Sequence, residues 1–582
     1  MRIKHFFGLA VLAAMTASCS SNNELVNGGN GSGENETGAS YASFSINLPT
    51  TSGTRADEPT FEKGDVKEYD VFNATLLVFK KPTTATSEGE YTFVEHVDLG
   101  SMEPWKSSSE TGVTTQAKIT AKLSNVDKSG DYFALVLLNN GSDADAKVNL
   151  PTDATTTYSA WNKADNATDK FAKTDKGFYM ANAPLFKDNS VTTLVAIDKN
   201  KIFPTEAQAS SGEAAADIYV ERGLAKVTLT AATKDKKTVD ASSSYKGDEV
   251  TINNWALDVT NKKTFPIHNV DGLTTDYPEI WKNEAATPST PSTQRFVDNS
   301  KATAKRVYWG TDPNYKETNL SAETPESKKA RTENFYYIKD EKKDLTAKPT
   351  DPLYCLENTF NLTNMMQGQT TRVVFKGTYT PKSITPDENG TFYKIGKNVA
   401  LWNSADLEKH IAAAVTKVVA DASAEGATTT ITLKGSDNDL TTAGNHMLKA
   451  SNITVKKATG DVVTLQPEDV TAINDKLGLS EGYGISTYEK GESYYIARIK
   501  HFGDALTPWK SGTYGDNNLK YLGRYGMLRN NWYELNVQSV SGPGYPDVPE
   551  VKPNTPDDED DKYIKVSVKI LDWAKRSQDV NL

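Results

Sequence analysis

The chain has few of the residues from which catalytic, metal and disulfide sites are built. Among 582 residues there are two Cys and six His. The histidines show no HExxH or other metal-ligand spacing, and no GxSxG, Walker or GxGxxG arrangement precedes a predicted helix. Cys355 has neither a nearby His nor a CxxC partner, which favours a buried structural thiol over a nucleophile. We therefore predict that the chain is not an enzyme and expect no catalytic residue, metal site or cofactor.

Acidic residues outnumber basic residues, and long apolar runs are missing. The chain carries 65 Lys and Arg against 76 Asp and Glu, for a net charge of −11. This balance is the opposite of the basic footprint of a nucleic-acid-binding protein. No stretch of 18 uninterrupted apolar residues occurs, so the sequence predicts no transmembrane helix.

The first 19 residues are typical of an export signal. Arg2 and Lys4 precede a short apolar region, Phe6–Met15, and small residues follow up to Cys19. This region is shorter than a membrane span and is predicted to be a signal peptide. The segment resembles a bacterial lipobox, with Thr16 where Leu is usual, so Cys19 is the expected lipidation site. Ordinary signal cleavage beside an incidental Cys is the open alternative.

A first strand is predicted after a Gly-, Asn- and Ser-rich tether at residues 22–40. The segment 41–49 alternates strictly, which indicates a half-buried strand. Its apolar side carries Ala42, Phe44, Ile46 and Leu48. The polar loop that follows contains Arg55 and Ala56, and loops of this kind are preferred sites of proteolysis.

The body of the chain is predicted to be an all-β sandwich. Runs rich in Val, Thr, Tyr and Phe are separated by Gly, Asn, Asp and Pro, as expected for strands and turns. The predicted strands include 70–79, 132–138, 218–230, 250–259, 371–379, 493–499 and 532–540. Apolar residues at helical spacing predict minor helical insertions at 404–420, with Ser404 as the cap, and at 468–477.

The C-terminal end has a different composition. Residues 541–561 are rich in Pro, Gly and acidic residues, which predicts an extended, solvated linker that cannot pack a core. An alternating strand follows it, with Ile564, Val566, Val568 and Ile570 on one side.

The first and last predicted strands share one pattern. Each begins with Tyr and carries four apolar residues two positions apart. One lies before a predicted cleavage loop and the other follows a long linker. This layout is expected of a subunit that loses its own strand and accepts a neighbour's by β-strand addition. From the spacing alone, the other interpretation, two ordinary terminal strands of one sandwich, stays open.

Several motifs resemble those of the Bacteroidetes fimbrillins (type V pilins). The segment YVERGLAKV at 219–227 resembles the VERxxAKV strand of that family. Further segments are similar to the minor-fimbrium major-subunit branch: WALDVTN at 255–261, YCLENTF at 354–360, IKHFGD at 499–504, RYGMLRNNWY at 524–533 and LDWAK at 571–575. Their order along one chain makes the resemblance specific.

The resemblance implies two transthyretin-like β-sandwich domains with exchangeable terminal strands. The implied organisation is a signal peptide at 1–18, a lipid-anchored propeptide with a removable strand at 19–55, an N-terminal domain at 56–222, a C-terminal domain at 223–540, a linker at 541–561 and a donor strand at 562–582. It further implies lipidation at Cys19, cleavage between Arg55 and Ala56 by an arginine-specific protease, and polymerisation by strand exchange. The displaced strand would carry Ala42, Phe44, Ile46 and Leu48, and the donor strand would carry Ile564, Val566, Val568 and Ile570.

The expected function is therefore that of a stalk subunit in a cell-surface fimbrium that supports adhesion. The expected partners are copies of the same chain, anchor and tip subunits, the arginine-specific protease, the outer membrane through the lipid, and a host or bacterial surface receptor. The alternative is a surface glycan-binding lipoprotein that uses exposed Trp402, Trp509 and Trp532 as stacking platforms.

Overall fold

The structure is a computed structural model. It describes residues 39–49, 68, 70–102, 106–107, 113–141, 146–167, 171, 177–187, 190–273, 305–307, 309–315, 319–341, 345–359, 364–501, 522–557 and 564–572. Most of the regular structure is β-strand, and the predicted all-β sandwich architecture is confirmed.

The N-terminal half of the described chain is built from short and medium strands. These are β1 (Ser40–Pro49), β2 (Ala74–Lys80), β3 (Thr92–Gly100), β4 (Lys106–Ser107), β5 (Val113–Leu123), β6 (Tyr132–Leu138), β7 (Met180–Asn182), β8 (Leu185–Lys187), β9 (Ser190–Thr192), β10 (Val195–Ala196) and β11 (Ala216–Arg222), with helices α1 (Tyr158–Trp161) and α2 (Glu206–Ser211).

Apart from β8 and β9, which belong to a separate three-stranded sheet, these strands form one nine-stranded sheet around an apolar core. The order is β3-β2-β6-β7-β11-β1-β5-β4, and β10 pairs with β6. Strand β11 joins the two layers, because residues 216–219 pair with β1 whereas residues 220–222 pair with β7. Apolar side chains of β1, β2, β5, β6 and β11 share the core between the layers.

The second half of the described chain contains the remaining strands and the longer helices. The strands are β12 (Leu224–Leu229), β13 (Lys237–Thr238), β14 (Glu249–Asp258), β15 (Thr260–Asn261), β16 (Lys305–Arg306), β17 (Phe335–Tyr336), β18 (Leu353–Leu356), β19 (Arg372–Thr380), β20 (Phe392–Ile395), β21 (Leu401–Trp402), β22 (Thr428–Ile431), β23 (Gly444–His446), β24 (Ile453–Lys456), β25 (Ile485–Tyr488), β26 (Glu492–Arg498), β27 (Asn531–Val540) and β28 (Ile564–Asp572). The helices are α3 (Pro325–Asn334), α4 (Ile338–Glu341), α5 (Ser404–Val418) and α6 (Pro467–Lys476).

A second sandwich is formed by two four-stranded sheets. Their orders are β18-β12-β27-β28 and β13-β14-β19-β26. The core between them contains buried side chains from β12 and β27 on one side and from β14, β19 and β26 on the other, including Val227, Leu535, Trp255, Phe375 and Tyr495. Strand β12 runs parallel to β27, and β28 lies antiparallel on the other side of β27.

Gly223 is the point at which the chain passes from one sheet to the next. The sequence predicts one strand across 218–230, but the structure divides it into β11 and β12, which belong to different sheets. A Cβ atom on Gly223 would lie 2.7 Å from Cδ2 of Phe171, so a side chain has no room there. The strand therefore changes sheets without a loop, at a position that only glycine fits.

An insertion with its own core separates β19 from β26. It contains β20 to β25 and helices α5 and α6, packed around residues such as Leu407, Ile411 and Ile473. Both predicted helices are present, with one difference at the start of α5. Asn403 rather than Ser404 is its N-cap, and its side-chain oxygen accepts a hydrogen bond from the backbone N–H of Asp406 at 2.9 Å.

Among the described residues, no helix combines the length and apolar character needed to cross a bilayer.

Candidate functional site

Strand β1 is a central strand, paired along both of its edges. It runs antiparallel to β5 from the pair Ser40 with Leu123 to the pair Pro49 with Val113. Its other edge runs parallel to β11, with Phe44 opposite Ala216. We call the space that β1 fills between β5 and β11 the β1 groove. Removal of β1 would leave two strand edges facing each other across one empty strand position.

The apolar side of β1 is completely buried. Ala42, Phe44 and Ile46 are 0% exposed and Leu48 is 1% exposed. All four pack in the core between the two layers of the N-terminal sheet. Burial of a large apolar side chain contributes about 1.5 to 3 kcal/mol. These residues therefore bind β1 tightly to the rest of the subunit.

The polar side of β1 is also covered, which corrects the prediction of a half-buried strand. Ser43 is 1% exposed, and its hydroxyl donates a hydrogen bond of 2.6 Å to the carbonyl oxygen of Ala209 in α2. Because that proton is used, the 2.8 Å contact between the Ser43 and Thr120 hydroxyls is donated by Thr120. Asn47 is 4% exposed, whereas Tyr41 and Ser45 are half-buried.

Helix α2 covers this side because several contacts hold it in place. The Thr205 side chain caps its first turn by accepting a hydrogen bond from the Gln208 N–H. The Lys118 ammonium on β5 donates to the Ser210 carbonyl at 3.0 Å. The side of β1 predicted to face solvent therefore lies under a helix that the alternating pattern does not indicate.

The predicted lipidation and cleavage residues, Cys19, Arg55 and Ala56, lie outside the described residues. The structure describes β1 up to Pro49 and the chain again from Glu68 and Asp70 onward. The described residues nearest to the predicted cleavage site are therefore Pro49 before it and Glu68 after it.

Glu68 fixes the chain after the predicted cleavage loop. It is 1% exposed and forms an ion pair of 2.5 Å with Lys226. Tyr354 donates a hydrogen bond of 2.7 Å to the same carboxylate, and Arg222 Nε donates to the Glu68 carbonyl oxygen at 2.8 Å. Arg222 and Lys226 belong to the VERGLAKV motif, so this motif holds Glu68 against the junction of the two sandwiches. No sequence signal marked Glu68 itself.

The predicted donor strand lies beside its own subunit as β28. Ile564, Val566, Val568 and Ile570 are opposite Val540, Val537, Leu535 and Tyr533 of β27, with a bulge between Val537 and Ser539. Those four residues of β27 are 0% exposed. The strand is therefore an edge strand of the C-terminal sandwich. In this conformation it is a terminal strand of its own subunit, which is the second of the two interpretations left open by the sequence.

The described part of the linker 541–561 packs on its own subunit, which corrects the prediction that it cannot do so. The hydroxyl of Tyr495 donates to the Gly542 carbonyl, and that of Tyr488 donates to the Gly544 carbonyl, each at 3.0 Å. Tyrosine hydroxyls on β25 and β26 thus satisfy backbone carbonyls of a segment that has few apolar side chains. Composition predicted the absence of a core but not these polar partners.

The linker is also fastened at the end of its described part. Asp557 is 0% exposed, its carboxylate accepts a hydrogen bond of 2.9 Å from Thr370, and its N–H donates to the Met365 carbonyl. Arg372 additionally donates to the Pro549 carbonyl at 2.7 Å. Asp557 was predicted to be solvated in the acidic run, whose other residues lie outside the described part of the chain. Six residues, 558–563, connect this fixed point to β28.

Two of the titratable residues considered for chemistry, Cys355 and His268, are buried in the fold. Cys355 is buried, and burial raises the pKa of its thiol to about 12. His268 is 1% exposed, with its Nδ1 atom 2.9 Å from a carboxylate oxygen of Glu221. Within the described ranges no group of three or more His, Cys, Asp or Glu residues could hold a metal ion.

The tryptophans of the glycan-binding alternative are engaged within the fold where they are described. The ring of Trp402 lies 4.5 Å from that of His410. Trp532 donates to the Thr228 hydroxyl at 2.7 Å, and the Lys226 ammonium lies 3.9 Å from its ring centre. Trp509 lies outside the described residues.

Comparisons with solved structures give distant similarities. A crystal structure of a candidate cell adhesion protein from Parabacteroides distasonis shares 11% identity at a TM-score of 0.36, covering 92% of this chain and 98% of that one. A fimbrial assembly protein from the same organism shares 14% identity at a TM-score of 0.21, covering 38% of this chain and 64% of that one. No curated protein matches the sequence.

A family model gives the informative match. Residues 486–579 match the C-terminal region of fimbrillin, the major fimbrial subunit protein type IV. The matched segment runs from β25 through β26 and β27, the linker and β28, and therefore includes the predicted donor strand. The similarity to the fimbrillin family is therefore carried by residues 486–579, at the C-terminal end of the chain.

Proposed function

We propose that the chain is a stalk subunit of a cell-surface fimbrium, of the minor-fimbrium major-subunit branch. It is exported as an outer-membrane lipoprotein anchored at Cys19 and is cut between Arg55 and Ala56 by an arginine-specific protease. The cut releases β1, and residues 562–582 of a neighbouring copy fill the β1 groove. Repetition of this step produces a polymer that supports adhesion.

The position of β1 is the observation that carries the proposal. A strand that is paired on both edges, buried along its apolar face and partly covered on its polar face leaves a strand-shaped groove when it is removed. The predicted cleavage loop begins directly after Pro49, so one cut frees the whole strand from the subunit body. Two open strand edges supply backbone hydrogen bonds to an incoming strand, and the apolar pockets fix its register.

The C-terminal strand has the apolar pattern that such a groove needs. If Ile564, Val566, Val568 and Ile570 are buried at about 1.5 to 3 kcal/mol each, the gain is roughly 6 to 12 kcal/mol before ordering costs. This gain is large enough to dominate the contact between subunits. In the unassembled subunit, β28 rests on β27, where the backbone ladder also protects the edge of β27.

The fastened linker limits the reach of the donor strand. From Asp557 to Ile564 the chain advances seven residues, which span at most about 25 Å when fully extended. With residues 541–557 held on their own subunit, the acceptor groove must come within this distance. The proposal therefore requires close subunit packing rather than loosely tethered subunits.

The proposal divides the mature subunit by role. Residues 56–222 form the accepting sandwich, and residues 223–540 form the sandwich from which the linker and donor strand extend. The sheets change at Gly223, which supports this division. Other partners are anchor and tip subunits and a host or bacterial surface receptor.

The test is assembly after processing. Arg55→Lys keeps the positive charge and removes the substrate of an arginine-specific protease, and Lys63→Ala, which adds no arginine, serves as a control in the same part of the sequence. Precursor, variant and control are digested and examined for heat-labile ladders and for the mature N-terminus. We expect cleavage before Ala56 and polymers for the precursor and the control, and an intact, folded monomer for Arg55→Lys. Long polymers of the uncut variant would show that assembly does not depend on this cleavage.

A further inference from the structure

We propose that the donor strand enters the β1 groove with Ser567 in the place of Ser43, beside Thr120 and under helix α2. This register rests on the proposed strand exchange and adds the residue that sets it. It differs by two positions from the alignment that places Tyr563 on Tyr41.

The polar, outer face of β1 determines which side chains the groove can accept from a donor strand. Along that face the side chains alternate between partial and complete burial: Tyr41 is half-buried, Ser43 is 1% exposed and Ser45 is half-buried. At Ser43 the space is closed by the Ala209 carbonyl at 2.6 Å and the Thr120 hydroxyl at 2.8 Å. The groove therefore accepts a small hydroxyl side chain at this point, between two positions that reach solvent.

Within β28, Ile564–Asp572, the polar side of the donor strand matches this requirement once. It carries Lys565, Ser567 and Lys569, a small hydroxyl residue between two lysines. With Ser567 at the Ser43 position, both lysines fall on the half-buried positions of Tyr41 and Ser45. From there a long side chain can lie along the surface and keep its ammonium group in water.

Other registers place an unsuitable side chain at the Ser43 position on the polar side. A shift of two residues in either direction brings Lys565 or Lys569 to the Ser43 position, where the ammonium would be buried under α2. A further shift brings Tyr563 or Leu571 to a space closed by the Ala209 carbonyl and Thr120. Because a lysine lies on each side of Ser567, these three polar positions match Tyr41, Ser43 and Ser45 whether the donor strand runs parallel or antiparallel to the direction of β1.

On the apolar side, a donor strand that runs in the direction of β1 keeps three of its four apolar residues in the groove, because Ile564 moves to the position of Ser40. With Ser567 on Ser43, Val566 and Val568 occupy the neighbouring positions of Ala42 and Phe44. Valine is larger than alanine and smaller than phenylalanine, so the changes in volume oppose each other. Ile570 then takes the place of Ile46, and Asp572 falls on Leu48, which is 1% exposed, so its carboxylate must extend past the end of the groove into the space that residues 49–55 leave after cleavage.

Cross-linking tests the register directly. Residues directly opposite on neighbouring strands have Cβ atoms about 4.5 to 5.5 Å apart, close to disulfide distance. Thr120→Cys is combined with Ser567→Cys, and the matched controls combine Thr120→Cys with Lys565→Cys or with Lys569→Cys. The native Cys355 is buried and is present in every variant, so it does not alter the comparison. Each full-length precursor is processed, allowed to assemble, oxidised and separated under denaturing, non-reducing conditions.

We expect a covalent ladder with the Ser567→Cys pair, at least tenfold stronger than with either lysine pair. A stronger ladder with a lysine pair would overturn the register and leave strand exchange standing. Polymers that form with none of the pairs cross-linked would overturn strand exchange into this groove as well.

If the cysteine variants assemble poorly, the register is tested by the polymer yield of two variants without cysteine substitutions. Ser567→Lys places a lysine at every central position of the polar side, and we expect at least a tenfold loss of polymer. Lys565→Ser keeps a serine available at the required position and is expected to stay within twofold of the unmodified protein. Thermal unfolding of each precursor shows whether the fold is intact. Normal assembly of a folded Ser567→Lys subunit would overturn the register.

Discussion

Thr370 donates a hydrogen bond of 2.9 Å to the buried carboxylate of Asp557, joining two residues that are 187 positions apart in the sequence. The contact fastens the acidic end of the linker to the chain just before β19. The point from which the chain continues toward β28 is therefore fixed on the subunit body.

Loss of this contact should release the end of the linker. Asp557→Ala removes a fully buried carboxylate and leaves Thr370 without this acceptor, at an expected cost of about 1 to 3 kcal/mol in the free energy of unfolding. Amide exchange in residues 549–557 should accelerate. Glu550→Ala is the control, because its ion pair with Lys339 is exposed and should contribute less than about 1 kcal/mol. Unchanged exchange in Asp557→Ala would show that the linker is held elsewhere.

Strand β1 should stabilise the precursor but not the processed subunit. Phe44→Ala empties a fully buried position and should lower the unfolding free energy of the precursor by about 3 to 5 kcal/mol. Ser45→Ala, at a half-buried position, should change it by less than about 0.5 kcal/mol. After Arg-specific cleavage and release of β1, both variants should unfold like the unmodified processed subunit. A difference that persists after release would mean that β1 remains bound.

The donor strand should be essential for assembly and dispensable for folding. The core of the C-terminal sandwich contains described side chains of β12, β14, β19, β26 and β27, so deletion of residues 562–582 should leave a folded monomer. Val566→Asp should prevent polymer formation, because an unpaired carboxylate in an apolar groove costs several kcal/mol. Lys565→Asp is the control on the other side of the strand. Thermal unfolding and polymer length are measured separately, and an unfolded deletion product would assign β28 to its own subunit alone.

Stability should fall between about pH 4.5 and pH 7 because of Glu88. Burial raises the pKa of this carboxyl from 4.5 to about 7, although the N–H groups of Thr193 and Leu194 donate to it. The folded state therefore retains a proton that the unfolded state releases, and this contribution, on the order of 3 kcal/mol, is complete below pH 4.5 and lost as pH rises through 7. Glu88→Gln should flatten the pH profile of thermal unfolding in this range. An unchanged slope would assign the effect to other groups.

Cys19 should determine where the precursor goes. Cys19→Ala should abolish lipid labelling and divert the chain from the outer membrane, since a buried lipid chain contributes roughly 0.8 kcal/mol per CH₂. Cys355→Ala is the control, because that thiol is buried in the body of the fold. Surface assembly of Cys19→Ala at normal levels would contradict lipid anchoring.

The sequence predicted the apolar side of β1 well because side chains alternate along a strand. Ala42, Phe44, Ile46 and Leu48 occupy one side in any register, and a sandwich buries that side. It could not predict the burial of Ser43, because the covering helix α2 comes more than 160 residues later and binds through backbone carbonyl groups. Polarity indicated solvent exposure, whereas a hydrogen bond to Ala209 makes a buried hydroxyl acceptable.

The linker illustrates the same limit at the other end of the chain. Pro, Gly and Asp predicted an extended, solvated linker at 541–561, and its described residues, 541–557, form no helix or strand. They did not indicate that Tyr488, Tyr495 and Arg372 donate to its carbonyl groups. Partners of this kind are distant in sequence and leave no local pattern.

The passage of the chain through Gly223 has a mechanical consequence. Strand β11 lies beside the β1 groove, continues as β12 without a loop, and β12 lies parallel to β27, from which the linker departs. A pull on a strand held in the groove would be directed along these neighbouring backbones, where ladder hydrogen bonds are loaded together in shear rather than opened one after another. If subunits assemble by the proposed strand exchange, tension along the polymer would cross each subunit through two joined strands, with Gly223, a residue without a side chain, between them.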